Sequence, residues 1–292
     1  MDRYRKVIAE SNVPANEIEI KEATSDIIAN ANAYASPEVY SLLLGCLDLT
    51  TLNTEDNLES VTAFVKRVND FDNDFPQLKG VAAICTYSNF AEVVASALEV
   101  SGVNVDAVAG GFPSGQTFTA VKVAEVALAV ASGATEIDTV MNLGFLRDGN
   151  YEELCDELIE MKHTAKDATL KVILETGALH SAEEVKTASL LALWSDADFI
   201  KTSTGKVYPG ASPEAAYVMC RCIKEYYEKT GRKVGFKAAG GIRTADEALK
   251  YYAIVKEVLG DEWLNPELFR IGASSLANSL LEAITGDPKP YF

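Results

Sequence analysis

The sequence predicts one α/β chain folded as a (β/α)8 TIM barrel with an N-terminal helical extension. Three observations predict it. The chain has 292 residues, and one such barrel commonly needs about 250. Eight short runs rich in Val and Ile alternate with amphipathic helical stretches, the pattern of parallel strands joined by crossover helices. No linker or low-complexity segment divides the chain, so residues 41–292 read as the barrel and residues 1–40 as one or two helices packed on it. A doubly wound open sheet is the structural alternative.

The candidate strands, in order, are Gly45–Leu49, Gly80–Cys85, Val103–Ala109, Thr135–Met141, Leu170–Glu175, Ala197–Thr202, Val234–Ala238 and Leu268–Ile271. Helix starts are marked chemically. Ser181 with Glu184 and Thr244 with Glu247 have capping-box spacing, in which hydroxyl and carboxylate satisfy each other's orphan amides. Ser212 followed by Pro213 places a cap before a proline suited to the first helical position.

Composition excludes several functions. A formal charge of −17 lacks the cationic face that nucleic acid needs. No uncharged apolar run reaches the ~18 residues of a membrane span, and the N-terminus has no apolar core of a secretory signal. Five cysteines, odd in number and scattered, read as reduced thiols in a cytoplasm. Two histidines are too few for a histidine-based zinc site, so neither metal nor cofactor is expected. The expected partners are a small phosphorylated molecule and a second copy of the chain, a dimer first.

Active sites in this barrel sit at the C-terminal strand ends. The polar residues there are Asp48, Cys85, Asp138, Glu175, Lys201 and Lys237. Lysines seldom end buried strands, because stripping water from an ammonium is costly. Lys201 and Lys237 lie on consecutive strands, hence neighbours. Two ammonium groups ~5 Å apart repel by roughly 3 kcal/mol at an effective dielectric of ~20, about 2 pKa units. Desolvation pushes the same way. One lysine is thereby driven toward the neutral amine, a nucleophile that forms Schiff bases with carbonyls. Asp138 opposes this, so proton transfer through a water is expected of it rather than a tight salt bridge. Cys85 reads first as a buried filler and second as a wall of the site.

A second group is rich in glycine and hydroxyls. "STGK" (203–206), "AGGIRT" (239–244) and "IGASS" (271–275) follow the last three strands. Glycines let backbone amides approach an anion, a helix N-terminus adds positive partial charge, and barrels often hold phosphate at these loops. With Lys206 they form a phosphomonoester subsite.

"CLDLTTLN", "VAAICTYSNF", "EIDTVMNLG", "LKVILETGAL", "DFIKTSTGK", "GFKAAGGIRT" and "GASSL" together resemble the deoxyribose-phosphate aldolase family, in order, from about Leu43 to Ile284. The resemblance implies a metal-free class I aldolase. It would reversibly cleave 2-deoxy-D-ribose 5-phosphate to acetaldehyde and D-glyceraldehyde 3-phosphate, in deoxynucleoside catabolism. It implies Lys201 as the Schiff-base nucleophile, Lys237 as the residue that tunes it, and Asp138 as the proton carrier. Thr204, Gly205, Lys206, Gly240, Gly241, Gly272, Ser274 and Ser275 would hold the phosphate, with Asp48 and Thr50 beside the sugar. Three features depart from the family: Ala238 follows Lys237 where many members have proline, the tail "DPKPYF" makes Tyr291 penultimate where some members end in an active-site tyrosine, and the N-terminal forty residues exceed the shorter bacterial forms. Two other readings stay open. One is a Schiff-base aldolase for a longer phosphorylated sugar, separable by a substrate panel. The other is a silent binding scaffold, which would need loss of Lys201, Lys237 or Asp138, all of which are present.

Overall fold

The computed structural model describes residues 3–288 and 290–292. Eight parallel strands close into a barrel in sequence order. They are β1 (Leu47–Thr50), β2 (Ala83–Tyr87), β3 (Asn104–Ala109), β4 (Glu136–Val140), β5 (Thr169–Ile173), β6 (Phe199–Lys201), β7 (Gly235–Ala239) and β8 (Phe269–Ala273). The crossover helices are α4 (Leu58–Asp74), α5 (Ala91–Ala97), α6 (Thr119–Ala131), the pair α7 (Leu143–Asp148) and α8 (Tyr151–Ala165), α9 (Ala182–Leu193), α10 (Pro213–Thr230), α11 (Ala245–Leu259) and α12 (Leu276–Thr285). The expected fold class is therefore the observed one. Among the described residues no helix is long and apolar enough to cross a membrane.

Before the barrel come α1 (Arg3–Ala9), α2 (Glu17–Asn30) and α3 (Pro37–Gly45). Helix α1 lies on α8 and α9, α2 on α10 and α11, and α3 on α12 and α11. The boundary expected at residue 40 falls inside α3. Gly45, expected to open the first strand, ends that helix, and Cys46 closes it by donating its N–H to the Leu42 carbonyl at 3.0 Å.

The capping chemistry holds with one change. Thr244 and Glu247 form the complete reciprocal box, and Ser212 caps α10 ahead of Pro213. Ser181 accepts from the Glu184 amide, but the Glu184 carboxylate accepts from His180 instead, at 2.7 Å, and Arg147 claims its other oxygen at 2.6 Å.

Register decides what meets inside the barrel. Lys201 pairs with Lys237, Lys237 with Arg270, Lys171 with Asp138, and Asp106 with Glu136. Charged residues from six adjacent strands, β3 to β8, therefore share one interior.

Candidate active site

The barrel interior holds a network of four cations and four carboxylates. Arg270 grips Glu136 with both nitrogens, at 2.7 and 3.0 Å, and reaches Asp48 at 2.6 Å. It also lines a cavity of about 950 Å³ at the N-terminal end of the barrel. Above it, the Lys171 ammonium touches Glu136 (2.6 Å), Asp106 (3.0 Å), Asp138 (3.1 Å) and Asp48 (3.6 Å). Lys237 touches Asp48 (2.5 Å), Asp138 (2.7 Å) and Asp106 (2.9 Å). Lys201 donates at 2.6 Å to the same Oδ2 of Asp138 that Lys237 contacts. Formal charges balance, which is how so many ions tolerate burial.

The network corrects the expectation for Asp138. It forms direct ion pairs with three lysines rather than standing off through a water. Burial alone would raise its carboxyl pKa, but Lys171, Lys201 and Lys237 outweigh burial and hold it well below the usual carboxylate range. Asp48 behaves likewise under Lys237, Arg270 and Lys171. Asp106 is the exception: burial first, then the neighbouring Asp138 charge, keep it above its ordinary value despite two lysines. Burial would also lower Lys237, yet Asp106, Asp138 and Asp48 raise it well above a free lysine. Lys171 is raised for the same reason. The simple picture of two repelling ammonium groups thus omitted the carboxylates between them. The carboxylates of Asp48, Asp106 and Glu136 approach within metal-ligand range of one another, and the Lys171 ammonium touches all three.

Access separates the lysines. Lys171 and Lys237 side chains are 0% exposed, whereas Lys201 keeps 4% at the mouth. Lys201 also has one carboxylate partner where the others have three or four.

Asp48, expected beside the sugar, is fully buried beneath Lys237, because its strand points it down the barrel axis into the cation layer. Thr50 is nearer the mouth, its hydroxyl donating to the Asp48 carbonyl at 2.8 Å. Cys85 is buried with Leu52 and Val108, and burial, then the Asp106 charge, push its thiol well up. Gly205, Lys206, Gly241, Ser274 and Ser275 are exposed at the mouth, with Gly240 and Gly272 half-buried. A Cβ added at Gly240 (φ 87°) would lie 2.9 Å from the Gly210 Cα, so the loops after β6 and β7 touch backbone to backbone. The Ser275 hydroxyl makes no capping bond to α12. Lys206 reaches across the mouth, its ammonium donating to the Leu52 carbonyl after β1. Tyr291 lies elsewhere: its hydroxyl donates to Asp74 at the end of α4 at 2.8 Å, and its ring packs on Phe71 and Phe75. That places it at the opposite end of the barrel from Lys201.

Sequence reasoning missed Asp106, Glu136, Lys171 and Arg270. One signal was available. Each is a charge within or opening an apolar strand run, and a charge placed there demands a buried partner.

The sequence matches the DeoC/LacD family aldolase model over residues 42–281. A Caenorhabditis elegans protein is 45% identical over 269 residues, 91% of this chain and 88% of its own. The deoxyribose-phosphate aldolase of Mus musculus is 44% identical, covering 80% of this chain and 77% of its own. Among solved structures, the tetrameric deoxyribose phosphate aldolase of Aeropyrum pernix superposes with a TM-score of 0.69 at 26% identity, covering 89% of this chain and 97% of its own. The matched span runs from α3 into α12 and so contains the whole barrel with its lysine–carboxylate network, and on that ground the chain belongs to the DeoC/LacD family of aldolases, which are lyases.

Proposed function

We propose that the chain reversibly cleaves 2-deoxy-D-ribose 5-phosphate to acetaldehyde and D-glyceraldehyde 3-phosphate through a Schiff base on Lys201. The supporting observation is that Lys201 alone among the three interior lysines reaches the mouth while sharing Asp138 with Lys237. The neutral Lys201 amine adds to the C1 aldehyde, and the carbinolamine loses water to give the protonated imine. Removal of the C3 hydroxyl proton lets the C2–C3 bond break. Its electrons pass into the imine, leaving an enamine on Lys201 and releasing glyceraldehyde 3-phosphate. Protonation at C2 and addition of water then free acetaldehyde and the lysine. Asp138, in contact with both lysines, carries the protons, and Lys237 keeps Asp138 anionic. This is deoxyribose catabolism when it runs toward cleavage.

Gly205, Lys206, Gly240, Gly241, Gly272, Ser274 and Ser275 form the phosphate subsite in this reading. Lys206→Ala removes the cation there, so binding of deoxyribose 5-phosphate should weaken about tenfold or more. Turnover of unphosphorylated deoxyribose should change little. Steady-state kinetics on both substrates checks this, and equal losses would contradict the assignment.

Self-association as a dimer is assigned to the outer face of α6. Phe118, Val121 and Leu128 are 80%, 51% and 68% exposed there. The helix's charged residues turn inward, Lys122 to Glu157 at 2.6 Å and Glu125 to the Gly111 amide at 2.9 Å. In a chain of charge −17, an uncharged face is where two copies meet without repulsion. Sedimentation should give a dimer for the wild type and a monomer for Val121→Glu/Leu128→Glu. A monomeric wild type would refute it.

A further inference from the structure

Glu175 lies two residues past β5, and its backbone is left-handed, φ 51° and ψ 57°. That conformation disfavours any residue with a Cβ and persists where the surroundings over-determine it. Here they do. The Leu174 amide donates to the Lys201 carbonyl at 2.9 Å, and the Thr176 amide to the Thr202 carbonyl at 2.8 Å. With both neighbours tied to the end of β6, the kink turns the Glu175 side chain onto the loop that follows. Its Oε1 accepts from the Thr204 amide at 3.1 Å and its Oε2 from the Thr204 hydroxyl at 2.5 Å. The Thr204 hydroxyl accepts in turn from the Lys206 amide at 3.3 Å. Glu175 and Thr204 are both buried. Gly177 closes the arrangement, since a Cβ there would lie 2.2 Å from the Pro209 carbonyl oxygen, pressing the returning loop against the same segment.

We infer that Glu175 is a positioning residue that holds the Thr204–Lys206 turn in its ligand-ready shape, an inference that rests on reading that turn as part of the phosphate subsite. A hydroxyl has one proton to donate, and that of Thr204 goes to Glu175. Thr204 therefore shapes the turn instead of donating to the substrate, and Gly205 and Lys206 are left facing the mouth. A carboxylate near an anion subsite would ordinarily repel the ligand. This one is already satisfied by two donors and buried behind the turn. Its effect is to fix the loop before the ligand arrives, so that ordering is not repeated at each binding event.

The test uses Glu175→Gln, Glu175→Gly, Thr204→Val and the Glu175→Gln/Thr204→Val double variant, with Lys206→Ala in parallel. Glycine accepts the left-handed backbone, so Glu175→Gly removes the carboxylate while relieving the strain, and its melting temperature should stay near wild type. The KM for deoxyribose 5-phosphate should rise about tenfold or more in Glu175→Gly, as for a lost hydrogen bond to a charged group, and less in Glu175→Gln. The kcat should stay within about threefold, and kcat/KM for unphosphorylated deoxyribose should hold. The double variant should be no worse than the worse single, because the pair acts as a unit. Equal losses on both substrates, or lost kcat at unchanged KM, would overturn the inference, since Glu175 would then serve Lys201 or the fold. If Lys206→Ala discriminates between the substrates and the Glu175 variants do not, this inference fails alone. If Lys206→Ala does not discriminate either, the phosphate subsite fails with it.

Discussion

Lys201→Ala should abolish aldol cleavage, by about 10⁴-fold or more, while the barrel stays folded. Loss of the nucleophile removes the covalent route entirely. The fold survives because Asp138 keeps two other ammonium partners, Lys171 at 3.1 Å and Lys237 at 2.7 Å, so no buried charge is left alone. In the wild type, borohydride reduction with acetaldehyde should leave an ethyl group on Lys201, located by peptide mass mapping. Circular dichroism of the variant verifies the fold. An adduct found mainly on Lys237 would exchange the roles of the two lysines. Its complete burial against three carboxylates argues against that outcome.

Lys237→Leu should lower activity at neutral pH by about 100-fold, the equivalent of ~2 pKa units of lost charge interaction. Without this ammonium the network carries one carboxylate too many, and the surplus negative charge holds the proton on the nearby nucleophile. The kcat/KM profile should therefore move to higher pH, with part of the loss recovered between about pH 8 and 9.5. A fraction that alkali does not restore reports the separate part that Lys237 plays in keeping Asp138 ionised. A profile parallel to the wild type at every pH would show that Lys237 does not tune Lys201. Stability should move as well. Leaving a buried carboxylate uncompensated costs about 3–5 kcal/mol, and Asp106, already raised by burial and by Asp138, is the group placed to take up the missing proton. Lys237 and Lys171 are both more basic folded than unfolded. Their stabilisation is complete below the unfolded lysine value of about 10.4 and is lost as pH rises through the higher folded values. Wild-type melting temperature should accordingly fall above about pH 10.4. Lys237→Leu should start lower and fall less steeply.

The eight strand runs, the Thr244 box, the Ser212–Pro213 start and the pair Lys201–Lys237 were all legible in the chain, because each is written in neighbouring residues. Strand periodicity and caps are local, and two lysines at matching strand ends become neighbours in any barrel of consecutive parallel strands. Even so, local reading placed the strand limits a few residues off, since ladder partners end a strand and these lie far away in sequence. Gly45 looked extended but belongs to α3, and Glu175 looked like a strand end but is left-handed.

Tertiary structure alone decided what surrounds the lysines. Asp48, Asp106, Glu136, Lys171 and Arg270 come from five strands up to 222 residues apart, and only closure in one register stacks them around the barrel axis. The sequence by itself determined that the chain forms this barrel and carries paired strand-end lysines. The structure decided that Asp138 touches those lysines directly, that Asp48 lies beneath the site, and that Tyr291 is fastened at the far end. The physical reason is range. Propensity and capping act over a few residues, whereas the energy of a buried charge depends on every ion within a few ångströms, and the closed sheet alone determines which ions those are.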